Sequence, residues 1–154
     1  MKVLLTFVGS NDPFGTSAVD GVVSLGPALA LVEDLRPDVV CLIETRSLQE
    51  NNDATAQELA SRFPDCKVER IPCYINDPTN HFAILNQLRE ISAELSSNYP
   101  GAVFSAGLTS GTASMHACML LLAASGEIQA NVFQSLNPKY QDEGARLVRE
   151  LDFS

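Results

Sequence analysis

Residues 102–124 read Ala102-Val103-Phe104-Ser105-Ala106-Gly107-Leu108-Thr109-Ser110-Gly111-Thr112-Ala113-Ser114-Met115-His116-Ala117-Cys118-Met119-Leu120-Leu121-Leu122-Ala123-Ala124. A short apolar run, a glycine- and hydroxyl-rich turn and an almost wholly apolar segment follow one another without a linker. That order predicts a buried strand (102–106) feeding a buried helix (115–124). Tyr99-Pro100-Gly101 separates the strand from what precedes it, and Gly126 closes the helix near its C-terminus.

The same alternation extends in both directions. Residues 3–8 form a continuous apolar run rich in branched side chains, ended by Gly9-Ser10-Asn11-Asp12-Pro13, and read as a first strand buried on both faces. A helix is expected from about Pro27, a residue tolerated in the first turn, with Leu29, Leu31, Val32 and Leu35 on its apolar face and Pro37 as its stop. Residues 38–43 then read as a second buried strand. Asp53 is the expected N-cap of a helix through Leu59 and Phe63, followed by a third strand over 68–75 in which Pro72 marks a bulge or an edge. Asp77-Pro78-Thr79-Asn80 is turn chemistry before a helix that places Phe82, Leu85, Leu88, Ile91 and Leu95 on one face. Val132 and Phe133 lie in a fifth strand, and residues 146–153 alternate like a sixth. Strands alternating with helices across short loops predict an α/β fold, a mainly parallel sheet of about six strands with helices on both faces.

The 154 residues fit one domain, residues 1–154, with enough chain to bury a core. With 45% hydrophobic and 19% charged residues the chain is expected to fold, and no apolar run approaches a membrane span. The apolar start lacks a small-residue cleavage pattern, so a cytoplasmic protein is expected. Cys41, Cys66, Cys73 and Cys118 form no C-x-x-C pair and have no zinc-ligand spacing to histidine, which favours reduced thiols and no metal. A net charge of −9 argues against broad binding to duplex nucleic acid. A phosphate ligand would therefore be held by backbone N–H groups, hydroxyls and a few placed cations.

In parallel α/β sheets, ligands sit beyond the carboxyl ends of the strands. The loop after the fourth strand offers Gly107 and Gly111 for close backbone approach, with Thr109, Ser110, Thr112 and Ser114 near the N–H groups of a helix start. It reads either as an anion cradle or as an ordinary capped helix. No lysine follows Gly111, so the phosphate loop of nucleoside triphosphatases is not matched. The loop after the first strand, from Gly9 to Thr16, offers Ser10, Asn11 and Asp12 for hydrogen bonds and Phe14 as a stacking face, or is a plain Asx-type turn. Arg46 falls just past the second strand and is the preferred phosphate partner, with Lys139 a weaker second. His116 reads as an acid–base candidate or a hydrogen-bonded core histidine, and His81 as an acid–base candidate or a surface turn residue; the structural reading is preferred for both. No catalytic residue is assigned. No hydrolase elbow, zinc-protease motif or carboxylate pair is present.

Phe7-Val8-Gly9 with Asn11-Asp12-Pro13-Phe14, Asp77-Pro78-Thr79, the block from Thr109 to Ala117 and the run from Leu121 to Ile128 together resemble the amino-terminal regulatory domain of RtcR-type activators. These are sigma-54-dependent regulators of an RNA-repair operon, and their sensor belongs to the CARF group of CRISPR-associated Rossmann-fold domains. The resemblance implies a Rossmann-like homodimer with a composite cleft for a cyclic oligoadenylate or a cyclic-phosphate RNA end. By the same resemblance Ser10, Asn11, Asp12, Thr109, Ser110, Gly111, Thr112 and Met115 line that cleft, and no cofactor is called for. Walker motifs and a helix-turn-helix are absent from the sequence, so the ATPase and DNA-binding effector would be missing and the chain is expected to be a fragment or a stand-alone sensor. Three functions compete. The preferred one is a binding module. The second is a metal-independent ring nuclease in which Ser10, Thr109, Thr112 and Arg46 orient a ribose hydroxyl against the neighbouring phosphate. The third is a dimerisation domain with an empty cleft.

Overall fold

The unbroken apolar runs occupy the middle of the sheet because only there are both faces of a strand covered. The computed structural model describes residues 1–16, 20–73, 75–77, 79–135 and 148–152. In chain order these form β1 (Lys2–Phe7), β2 (Phe14–Thr16), β3 (Val23–Leu25), α1 (Pro27–Leu35), β4 (Val39–Glu44), a 3-10 turn (Arg46–Leu48), α2 (Gln49–Arg62), β5 (Lys67–Pro72), α3 (His81–Asn98), β6 (Val103–Gly107), α4 (Ala113–Ala124), β7 (Asn131–Ser135) and β8 (Val148–Leu151). The main sheet has the order β5-β4-β1-β6-β7-β8, with every neighbouring pair parallel except β7 and β8.

The expected α/β architecture is therefore present. Residues alternate between two cores along each strand, as a two-residue period requires. Val3, Leu5 and Phe7 of β1 face one apolar cluster with Ile84, Leu88, Ile91 and Leu95 of α3 and Met115, Cys118, Met119 and Leu122 of α4. Leu4 and, just beyond the strand, Val8 face the other, with Leu29, Leu31 and Val32 of α1 and Leu59 of α2. The chain builds outward from β1 through β4 to β5, then returns to lay β6 on the opposite side of β1. The connection reverses between β1 and β6, so their carboxyl-end loops flank the crevice where such sheets bind ligands.

Several boundaries differ from the sequence reading. The loop after β1 carries a two-stranded antiparallel hairpin, β2 with β3, that the sequence reading took for loop. Helix α2 starts at Gln49, so Asp53 is an internal residue whose carboxylate takes a hydrogen bond from Arg70 at 2.6 Å. Helix α1 ends in Arg36, whose positive φ of 49° closes it before Pro37. Strand β5 stops at Pro72 and forms a sheet edge, where exposed Lys67, Arg70 and Pro72 discourage further pairing. Of the expected sixth strand, Val148–Leu151 is a strand, while Arg146, Leu147 and Phe153 lie outside the described residues.

Candidate functional site

The loops after β1 and β6 meet because glycine stands at each close approach. A Cβ at Gly9 would lie 2.9 Å from the backbone nitrogen of Gly111. A Cβ at Gly26 would lie 2.1 Å from Asn11 O and 2.7 Å from Pro13 O, so the start of α1 is pressed onto the β1 loop. Gly111 itself has a φ of 101°, a conformation glycine adopts at little cost.

Asp12 joins these pieces. It is 1% exposed, and its carboxylate accepts from Gly9 N at 2.9 Å, from Ala28 N at 2.9 Å and from the Ser110 hydroxyl at 2.6 Å. One side chain thus ties the β1 loop, the first turn of α1 and the β6 loop together. Burial pushes its carboxyl up from the usual carboxylate value, and the hydrogen bonds from Ser110, Gly9 and Ala28 act against that rise. Asn51 of α2 adds a second tie by donating to Asp12 O at 2.8 Å. The sequence singled out Asp12 and Ser110 as ligand contacts, and the structure places both under the crevice with their polar atoms committed to each other. Asn51 was not singled out, and an asparagine in a helix carries no local sign that it reaches a loop 39 residues away.

The rest of the β6 loop is similarly braced. Thr109 Oγ1 accepts from Ser135 N at 2.7 Å. Thr112 is the N-cap of α4, its hydroxyl accepting from Met115 N at 3.2 Å, while the Met115 sulfur accepts from Thr112 N at 3.4 Å. Met115 is buried, so it underpins the loop from beneath. His116 is half-buried with Nε2 2.7 Å from Ser110 O, which agrees with the hydrogen-bonded reading of this residue. Among the described residues, the amides of Ser10, Asn11, Gly111, Ala113 and Ser114 have no acceptor. These N–H groups gather on the two loops at the crevice, and two of them begin α4, where the helix dipole favours negative charge.

The remaining candidates lie farther out. Ser10 and Asn11 are exposed on the β1 loop. Phe14 is on β2, packed against the core under α1 with the Arg62 guanidinium 5.1 Å from its ring centroid, so that face of the ring is covered. Arg46 is exposed on the 3-10 turn after β4, one strand away from the crevice. Nearby Arg70 is held by Glu44 and Asp53, both at 2.6 Å. His81 opens α3 and is exposed; Lys139 lies outside the described residues. All four cysteines are free thiols, and burial raises Cys41 to about 12 and Cys73 to about 11. Among the described residues no cluster of His, Cys, Asp and Glu could hold a metal ion, and no helix is long and apolar enough to cross a membrane. A groove of about 590 Å³ lies at the opposite end of the sheet, between the C-terminal half of α3 and the start of β7.

The sequence matches the family model described as "Regulator of RNA terminal phosphate cyclase", RtcR, over residues 2–154. The chain belongs to the RtcR family. No curated protein matches it in sequence. Among solved structures, Enterococcus italicus Csm6 bound to cyclic hexa-2'-fluoro-hexa-dAMP superimposes with a TM-score of 0.81 at 20% identity, covering 99% of this chain and 41% of that one. Can2 from Sulfobacillus thermosulfidooxidans, in complex with cyclic tetra-adenylate, gives a TM-score of 0.56 at 15% identity, covering 88% and 32%. Protein VC1899 from Vibrio cholerae gives 0.61 at 11%, covering 92% and 34%. The chain thus spans less than half the length of these proteins, and at such identities the likeness is one of fold. Together they bear out the RtcR-type, CARF-like, Rossmann-like architecture that the motifs suggested.

Proposed function

We propose that this RtcR-family chain is a regulatory sensor domain that binds a cyclic oligoadenylate, or an RNA end carrying a cyclic phosphate, in a cleft shared by two copies. The observation that carries the reading is the set of backbone amides without acceptors among the described residues at the reversal point of the sheet, on loops that glycine lets approach each other. Such amides suit phosphodiester oxygens in an acidic chain with few cations to spend on phosphate. The solved structures of similar fold support the ligand class, since two of them hold a cyclic oligonucleotide. In this reading Ser10, Asn11, Gly111 and Thr112 contact the ligand with Arg46 at the rim, and Asp12, Ser110 and Met115 hold the loops in place.

The shared cleft is supported by α4. Its exposed positions Ala113, Ala117, Leu120, Leu121 and Ala124 follow helical spacing on one apolar face, with Leu121 58% exposed. A second copy packed there would bring two β6 loops side by side. Output to a transcriptional effector would pass through β8, whose last residue, Leu151, pairs with Val132 at the end of the sheet remote from the loops.

A ring-nuclease activity is the second reading. Binding is favoured because the hydroxyl oxygens of Thr109, Ser110 and Thr112 are already engaged by their own chain. The test is incubation with cyclic tetra-adenylate, cyclic hexa-adenylate and a cyclic-phosphate RNA, followed by thermal shift and product analysis. A rise in melting temperature without product supports the sensor, product formation supports the nuclease, and neither effect would overturn both.

A further inference from the structure

The Ser110–Gly111 peptide is the part of the β6 loop nearest Gly9, and its orientation decides whether the crevice presents a donor or an acceptor. Ser110 is gripped twice: its hydroxyl lies 2.6 Å from Asp12 Oδ2 and its carbonyl 2.7 Å from Nε2 of His116. A carbonyl can only accept, so Nε2 of His116 carries the proton in this contact. Asp12–Pro13 is the sole cis peptide among the described residues, so the Ser110–Gly111 bond is trans and its N–H points opposite to its C=O. Holding the carbonyl toward α4 therefore turns the Gly111 N–H away from His116. That amide has no acceptor among the described residues, and its nitrogen is where a side chain at position 9 would collide.

Without this tie the loop has a ready alternative. Gly111 has the backbone freedom to let the preceding peptide flip, which would present the Ser110 carbonyl to the crevice and repel a phosphate oxygen. The Asp12 contact does not prevent a flip, because it restrains the side chain of Ser110 and not its carbonyl.

We infer that His116 is a positioning residue that fixes the Ser110–Gly111 peptide with its N–H facing the crevice, making Gly111 an anion-binding donor. The inference rests on the sensor reading for what the donor meets, although the orientation itself is a property of the free protein. His116 does this from the first turn of α4, as a hydrogen-bond donor in either charge state, and not as an acid or base.

The test uses the full chain, labelled with ¹⁵N, as wild type, His116→Phe and His116→Gln; a glutamine amide nitrogen reaches about as far as Nε2, and phenylalanine keeps the ring without the donor. In wild type, long-range ¹H–¹⁵N correlation should show the proton on Nε2; protonation on Nδ1 alone would overturn the inference, whatever the variants do. In the free proteins, His116→Phe should shift and broaden the Gly111 amide while leaving Ala28 in place, and His116→Gln should restore it. An unmoved Gly111 amide in His116→Phe would refute it. With cyclic tetra-adenylate or cyclic hexa-adenylate, whichever wild type binds, His116→Phe should weaken affinity by roughly tenfold, the loss of one donor to a charged group. Equal affinity for His116→Phe and wild type would also overturn it. Absence of binding to either ring by wild type would remove the sensor reading alone, because the tautomer and the Gly111 amide decide the orientation without ligand.

Discussion

Two helices aim their N-termini at the same crevice and are finished in opposite ways. At α1 the N-cap is Gly26, which supplies no side-chain cap, and the amide of Ala28 is filled by Asp12 at 2.9 Å. At α4 the cap is a side chain, Thr112, yet the amides of Ala113 and Ser114 have no acceptor among the described residues. In dinucleotide-binding Rossmann folds the first of these helix starts takes the pyrophosphate. Here a buried carboxylate of the same chain stands in that place, so the first helix start is closed, while the second keeps two amides without acceptors among the described residues. On the sensor reading, this difference moves the phosphate site from the usual dinucleotide position to the reversal of the sheet.

The comparison can be broken most forcefully at Gly26. Gly26→Ala sets a Cβ against two backbone oxygens, at 2.1 and 2.7 Å, which cannot yield as a flexible side chain does. Overpacking of this kind costs about 3 kcal/mol, and a clear fall in the denaturant midpoint should follow; an unchanged midpoint would mean that α1 is not pressed on the β1 loop.

Asp12→Ala comes next, since it strands three donors that now meet one carboxylate. A loss of about 2 to 3 kcal/mol is expected by urea unfolding, short of a full penalty for each donor because water can enter a polar gap. Asp12→Asn sharpens the point through pH. Burial raises the folded pKa of Asp12, so the folded chain holds this proton more readily than the unfolded one. Its contribution to stability therefore increases as pH falls through the raised pKa toward the unfolded value of about 4. The stability of wild type relative to Asp12→Asn should grow over that interval; a difference independent of pH would contradict the buried, raised carboxyl.

Thr112→Val acts on the open helix start. Loss of the cap to Met115 N should lower stability by about 1 kcal/mol and weaken binding of a cyclic oligoadenylate by roughly tenfold. The smallest effect is expected at Arg46→Ala, an exposed residue one strand from the crevice: stability should stay within about 0.5 kcal/mol and affinity should fall less than for Thr112→Val. Calorimetry and unfolding of both variants check the order.

Much of this arrangement was legible in the sequence. Apolar runs placed β1, β4 and β6, and the turn from Gly107 to Ser114 marked the helix start that faces the crevice. The hairpin was missed because β2 and β3 have three residues each, too few to show a two-residue period. The start of α2 was misplaced because its first turn is polar and Asp53 resembles a cap when its partner Arg70 is not in view. The division of labour among the loop residues was hidden for the same reason. Asp12 and Ser110 look like ligand contacts until the fold brings them together across 98 residues of chain.

On the sensor reading, the start of α1 is closed to an outside anion and the start of α4 is open to one. Titration of the ¹⁵N-labelled protein with cyclic tetra-adenylate and cyclic hexa-adenylate tests it most directly. The account predicts that the bound ring shifts the amides of Gly111, Ala113 and Ser114, together with Ser10 and Asn11, and leaves Ala28 unmoved. Shifts centred on Ala28, or on Gln129 and Asn131 in the groove at the far end of the sheet, would contradict it.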